Sequence, residues 1–117
     1  PSVLDGVSRS MSIWKEEVFG PVLAVHEVDG FDDAVAATND SRYGLSAALF
    51  TQSLELAHRF ADRADVGQVA VNLPTSGWDV HMPFGGFRDS GSAFKEQGVD
   101  ALRFYTRTKT VAIRFRV

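Results

Sequence analysis

Trp14-Lys15-Glu16-Glu17-Val18-Phe19-Gly20-Pro21 holds the most suggestive spacing in the sequence. Gly20 and Pro21 oppose a helix, and the residue before a proline is pushed toward extended backbone. On an extended chain side chains alternate, so Glu17 and Phe19 share one side while Val18 faces the other. That sets a carboxylate beside a phenyl ring. A carboxylate accepts from two donors at once, such as the paired hydroxyls of a ribose, and the ring beside it can pack on the sugar or the base. The same residues also allow a plainer arrangement, with Glu17 solvated in a loop and Phe19 in the core.

Two further stretches carry candidate chemistry. Asn72-Leu73-Pro74-Thr75 falls at the C-terminal end of an expected strand, where open parallel sheets place ligand crevices; an asparagine there also serves as a turn former bonding nearby backbone. Pro83-Phe84-Gly85-Gly86, followed by Ser90-Gly91-Ser92, lets backbone approach either a ligand or another chain segment. His26, His58 and His81 lack metal-ligand spacing, which favours structural or solvated roles and no metal site. Ser76, Asp79 and His81 are triad residue types, but crowded into one loop without a nucleophile elbow they argue against a hydrolase. No Gly-x-Gly-x-x-Gly follows a strand, so the segment has no dinucleotide fingerprint of its own.

These residues need elements to position them. Val22–Val28 is apolar and valine-rich and reads as a strand. Residues 31–39 read as a short helix with Asp32 as N-cap. Leu45–Phe50 is a second strand. Ser53 opens a helix whose apolar face is Leu54, Ala57, Phe60, Ala61 and Ala64, with Gly67 at its C′ position. Gln68–Asn72 is a third strand. Leu73–Ala93 has no period but keeps Trp78, Phe84 and Phe87, as expected for the ordered wall of a site rather than a disordered segment. Lys95–Arg103 reads as a helix weakened by Gly98. From Thr106 the chain alternates, with Val111, Ile113 and Phe115 on one side, so it reads as an edge strand able to complete a sheet elsewhere. Pro1–Ser12 reads as irregular. The strand–helix–strand–helix–strand order predicts an α/β fold, a parallel sheet with helical crossovers.

Composition narrows the function classes. The chain has 117 residues, 44% of them hydrophobic, enough for one small core. A net charge of −3 argues against a nucleic-acid partner. No apolar run approaches a membrane span and no signal peptide is visible, so a cytoplasmic location is expected. There is no cysteine, which excludes disulfides, thiolate metal sites and a cysteine nucleophile within these residues. A first residue of proline fits either removal of an initiator methionine or a piece of a longer protein.

Glu17-Val18-Phe19-Gly20-Pro21 and Pro83-Phe84-Gly85-Gly86, with Val71-Asn72 between them, resemble the C-terminal part of the NAD(P)-dependent aldehyde dehydrogenases. The likeness runs from about Trp14 to Phe115 in the family's order. It implies that Glu17 binds the nicotinamide-side ribose of NAD or NADP and that Phe19 packs beside it. It implies that Phe84 lines a substrate tunnel, with Asn72 and Thr75 in the same substrate pocket, and that Glu96 helps orient a proton-relay lysine. The spacing from Ser90-Gly91 to Glu96 departs from the family's commonest form. Phe104–Val111 resembles the final strand that pairs across subunits, implying a homo-oligomer. The expected organisation is a catalytic-domain portion at 1–105 and an oligomerisation strand at 106–117. The wording from Val71 to Pro83 resembles the branch acting on α-ketoglutaric semialdehyde (2,5-dioxopentanoate). The family's nucleophile is a cysteine thiolate, absent here, so the chain alone is expected to be inactive. The rival expectation is a stand-alone, non-catalytic α/β binding or assembly module.

Overall fold

The computed structural model describes residues 1–92 and 94–116. Its best-covered part is built on two parallel strands, β4 (Ser46–Leu49) and β5 (Gln68–Val71), paired Ser46↔Gln68 through Leu49↔Val71. Parallel strands need a crossover, and α3 (Leu54–Arg63) supplies it. Ser53 caps that helix as expected, its hydroxyl accepting from the Leu56 N–H at 3.3 Å. The buried face is turned from the expected one. Phe60 and Ala64 are buried with Leu56 and Ala57 partly covered, while Leu54 and Ala61 are exposed. The neighbouring helix, α2 (Phe31–Asn39), adds Val35 and Phe31, so Val35, Phe60, Ala64 and Val66 close a small core over Ala47, Leu49 and Val69.

Polar staples hold the two helices together. Asn39 Nδ2 donates to the Arg63 carbonyl at 2.9 Å, and Asn39 Oδ1 accepts from the Asp65 N–H at 2.8 Å. Asp32 is not the N-cap; Gly30 takes that place at φ 110°, with no side-chain cap. Asp32 lies inside the first turn and pairs with Arg63 and, at 3.6 Å, with Arg59. Asp33 reaches back to accept from the Asp29 N–H at 3.0 Å and pairs with Arg9.

The remaining pairings fall outside this core. β1 (Ser2–Leu4) runs parallel to β2 (Val22–Ala24), so the N-terminal stretch expected to be irregular holds a strand. Its partner lies about twenty residues away, and three residues give no period to read. The strand expected over Val22–Val28 closes at Ala24. Two residues, β3 (Tyr43–Gly44), pair antiparallel with β6 (Phe87–Arg88). The strands are therefore three separate pairs, two parallel and one antiparallel, among the described residues. The helix expected over Lys95–Arg103 is displaced to α4, Asp100–Tyr105, because Gly98 adopts φ 63° just before it. Gly67 does not cap α3, which ends at Arg63 on an extended Ala64. Its role is close approach: a Cβ there would overlap the Gly85 carbonyl, and Gly86 lies against Ser90–Gly91 in the same way.

Residues 106–116 have no ladder partner among the described residues, and Val111, Ile113 and Phe115 are exposed. The chain spreads over 78 × 33 × 24 Å with a radius of gyration of 19.6 Å, against about 13 Å for a compact domain of this length. It exposes 9257 Å² where compact folding of 12.8 kDa leaves about 6,300 Å².

Candidate functional site

The segment carrying Glu17 and Phe19 begins with a single helical turn, α1 (Ser12–Lys15), where the sequence suggested extended chain. The turn is pinned by Trp14. Its indole N–H donates to the Asp40 carbonyl at 3.1 Å, and its ring meets His26 edge-on at 4.9 Å. His26 is itself structural, its Nδ1 lying 2.6 Å from the Val7 carbonyl. At Glu16, which ends the turn, the backbone becomes extended (φ −112°, ψ 135°). Two successive three-residue turns follow: Gly20 N–H to Val18 carbonyl at 2.9 Å and Val22 N–H to Gly20 carbonyl at 2.8 Å. Phe19 sits at the apex of the first turn. Its ring is 95% exposed, so the core placement that the residues alone allowed does not occur.

Glu17 is exposed too, and among the described residues no hydrogen bond or ion pair engages its carboxylate. It borders a cleft of about 400 Å³ shared with Thr38, Tyr43, Ser46, Val66 and Ser90. The cleft thus joins the Glu17 segment to the Ser90-Gly91 stretch, seventy residues later. Ser90 is held there by accepting from the Gly44 N–H at 3.0 Å. A carboxylate with both oxygens open, at the edge of a hydroxyl-rich cleft and two residues from a bare phenyl ring, fits the hydroxyls and face of a ribose.

Phe84, Asn72 and Thr75 do not line that cleft. Asn72 ends β5 in a left-handed conformation, φ 56°, and its amide clamps one residue at both ends. Oδ1 accepts from the Thr51 N–H at 2.8 Å and Nδ2 donates to the Thr51 carbonyl at 2.9 Å. Its side chain is thereby committed to joining the end of β5 to the loop after β4. The Thr75 carbonyl accepts from the Trp78 indole at 3.0 Å, folding the loop on itself. Phe84 is half-buried, and its carbonyl accepts from the Glu96 N–H at 2.8 Å. The Glu96 side chain is exposed.

Two cations do more than the sequence suggested. Lys95 Nζ donates to the carbonyls of Gly67 (3.0 Å) and Gly85 and lies over the Phe87 ring at 5.2 Å. Burial lowers its pKa, against a smaller opposing pull from Asp100. Arg88, at φ 52°, donates to the carbonyls of Asn39 (2.9 Å), Ser41 and Asp65 (2.6 Å). It thereby fixes the Ser41–Gly44 rim of the cleft. Arg88 Nε also lies 3.3 Å from the Asp65 carboxylate. Neither role has a local signal, because most of the partners are backbone carbonyls brought close only by the fold. Among the described residues no three His, Cys, Asp or Glu side chains gather as a metal site, and no helix is long and apolar enough to cross a membrane.

Residues 1–111 match the aldehyde dehydrogenase family. The chain is 49% identical over 112 residues to the alpha-ketoglutarate semialdehyde dehydrogenase of Haloferax volcanii, covering 95% of this chain and 23% of that one. It is 40% identical over 114 residues to the alpha-ketoglutaric semialdehyde dehydrogenase of Bacillus subtilis, covering 97% and 23%. Among solved structures, the indole-3-acetaldehyde dehydrogenase AldA of P. syringae, a C302A mutant in complex with NAD+ and IAA, superposes with a TM-score of 0.88 at 40% identity, over 98% of this chain and 23% of that one. KauB from Pseudomonas aeruginosa gives 0.87 at 42% identity, over 93% and 22%. The chain thus spans less than a quarter of the length of these relatives.

Proposed function

The chain belongs to the aldehyde dehydrogenase family, and from that premise we propose that it is the C-terminal part of a cytoplasmic enzyme oxidising an aldehyde to a carboxylate with NAD or NADP. Residues 1–105 serve as a portion of the catalytic domain, and residues 106–117 as a strand that completes the sheet of another subunit. The substrate class is a semialdehyde such as 2,5-dioxopentanoate, the type named for several of the similar relatives.

One observation carries the reading: the uncommitted Glu17 carboxylate and the bare Phe19 ring, displayed together on a double turn. The dinucleotide supplies the acceptor for the substrate's hydride. Glu17 accepts from the ribose hydroxyls and so fixes which way the attached ring faces. Phe19 covers the sugar and keeps water from it. The loop around Phe84 forms the wall beside the aldehyde. No residue of the chain can be the attacking thiolate, since the sequence holds no cysteine. The nucleophile and the bulk of the dinucleotide site therefore belong to the rest of the enzyme, and this chain alone turns nothing over. The large excess of exposed surface, with Phe19, Val111, Ile113 and Phe115 bare, supports the same reading.

The test is steady-state kinetics of the intact enzyme carrying Glu17→Gln. One charged hydrogen bond is worth about 1.5–3 kcal/mol, so kcat or kcat/KM for the dinucleotide should fall roughly ten- to hundredfold with the melting temperature held. A variant that melts early but keeps its kinetics per folded molecule makes Glu17 structural. Turnover by the 117-residue chain alone would contradict the assignment of the nucleophile elsewhere.

A further inference from the structure

The loop between Thr75 and Phe84 holds a hydrogen-bonded Asp–His pair that the steps above leave unused. Asp79 Oδ1 accepts from the His81 backbone N–H at 2.9 Å and meets His81 Nδ1 at 2.7 Å. One oxygen therefore fixes both the backbone and the ring of His81. Those two bonds also hold the Asp79 carboxyl below the usual range. With Nδ1 committed, Nε2 is the ring nitrogen left for a ligand, and the side chain is 89% exposed.

The placement is not that of a loose loop. The Gly98 N–H donates to the Val80 carbonyl at 3.2 Å, and a Cβ on Gly98 would overlap the His81 carbonyl. The loop is clamped onto the start of α4. Between them opens a recess of about 560 Å³ lined by Val80, His81, Gly98, Val99 and Leu102. Among these described residues His81 alone is titratable. The recess is an apolar trough with a single nitrogen donor or acceptor at its edge, three residues before Phe84.

That combination fits a short carbon chain ending in an anion. Resting on the enzyme reading above, we propose that His81, oriented by Asp79, is the specificity determinant that receives the far carboxylate of a dicarboxylic semialdehyde. Nδ1–H faces Asp79, and a ring carrying a proton on Nε2 as well would set its second N–H toward the substrate carboxylate and stand between the two anions. The methylenes lie along Val80, Val99 and Leu102.

The intact enzyme is assayed with two aldehydes of equal carbon number, 5-oxopentanoate and pentanal, and the ratio of their kcat/KM values is the readout. In His81→Gln that ratio should fall about ten- to hundredfold, chiefly through KM for 5-oxopentanoate. His81→Lys, which restores a cation, should recover most of the ratio. Asp79→Asn, which keeps the acceptor oxygen but not the charge, should fall between. Equal losses for both aldehydes, or an unchanged ratio in His81→Gln, overturn the assignment, since a purely structural histidine does not discriminate between them. If the unsubstituted enzyme oxidises neither of these aldehydes nor 2,5-dioxopentanoate, the enzyme reading itself fails and takes this assignment with it. Oxidation of pentanal alone overturns only the carboxylate assignment.

Discussion

The β4–α3–β5 unit with α2 and the segment from Ser12 to Val22 are built on opposite terms. In the first, apolar side chains face one another, and Asn39 staples the helix ends with both its oxygen and its nitrogen. In the second, Phe19 is almost wholly bare and the Glu17 carboxylate is uncommitted, although the backbone is tied down by two tight turns and by Trp14. The first region satisfies itself. The second is rigid yet unsatisfied, as expected of a surface shaped for something that is not this chain. The tail from Thr106 to Arg116 is likewise unsatisfied, its Ile113 and Phe115 exposed.

The contrast can be broken most forcefully at Phe60. Its ring fills the small core, so Phe60→Ala should cost about 3–5 kcal/mol and appear as a large drop in the denaturation midpoint of the intact enzyme. Phe19→Ala should leave that midpoint in place and weaken dinucleotide binding; if the two variants melt alike, the distinction between the regions is wrong. Next in size comes Gly67→Ala, which forces a methyl against the Gly85 carbonyl and should cost about 1–3 kcal/mol by the same measurement. Asn39→Ala removes two bonds between helix ends and should cost about 1–2 kcal/mol. Ser53→Ala, which removes only the cap of α3, should cost about 1 kcal/mol.

The smallest effect is one of pH. The hydrogen bond and charge of Arg63 hold the Asp32 carboxyl below its usual value. A depressed folded-state pKa contributes stability that is present above the unfolded value, near 4, and lost as pH falls through the lower folded value. Asp32→Asn should therefore flatten the acid limb of the stability curve below about pH 4 and change little at neutral pH, where exposed pairs are weak. A variant whose acid limb matches the parent's would show the pair to be inert.

Much of the self-satisfied region was legible in the sequence. Valine-rich runs, the 3.6-residue recurrence around Phe60 and the Ser53 cap all act locally, and they gave α/β with parallel strands joined by a helix. What escaped was set by distant partners. The pairing of Ser2–Leu4 with Val22–Ala24 depends on a register that three residues cannot encode. Asp32 went to Arg63 rather than to its own helix, because Gly30 left-handed at the turn already starts α2 and the arginine offers a stronger partner. Gly67 answers the Gly85 carbonyl, eighteen residues on, not the end of α3. Glu17 and Phe19 are neighbours in sequence, but the alternating extended chain expected there gives way to two three-residue turns between Val18 and Val22, set by backbone bonds that residue types do not announce. The roles of Lys95 and Arg88 were not legible, since both bind mainly backbone carbonyls, which carry no residue identity.

The most direct measurement is a crystal structure of the intact enzyme with the dinucleotide bound. The expected result is ribose hydroxyls within hydrogen-bond distance, about 2.6–3.2 Å, of the Glu17 carboxylate, with the Phe19 ring against the same sugar. Density showing both side chains turned away from the dinucleotide, or covered by protein in its place, would contradict the account.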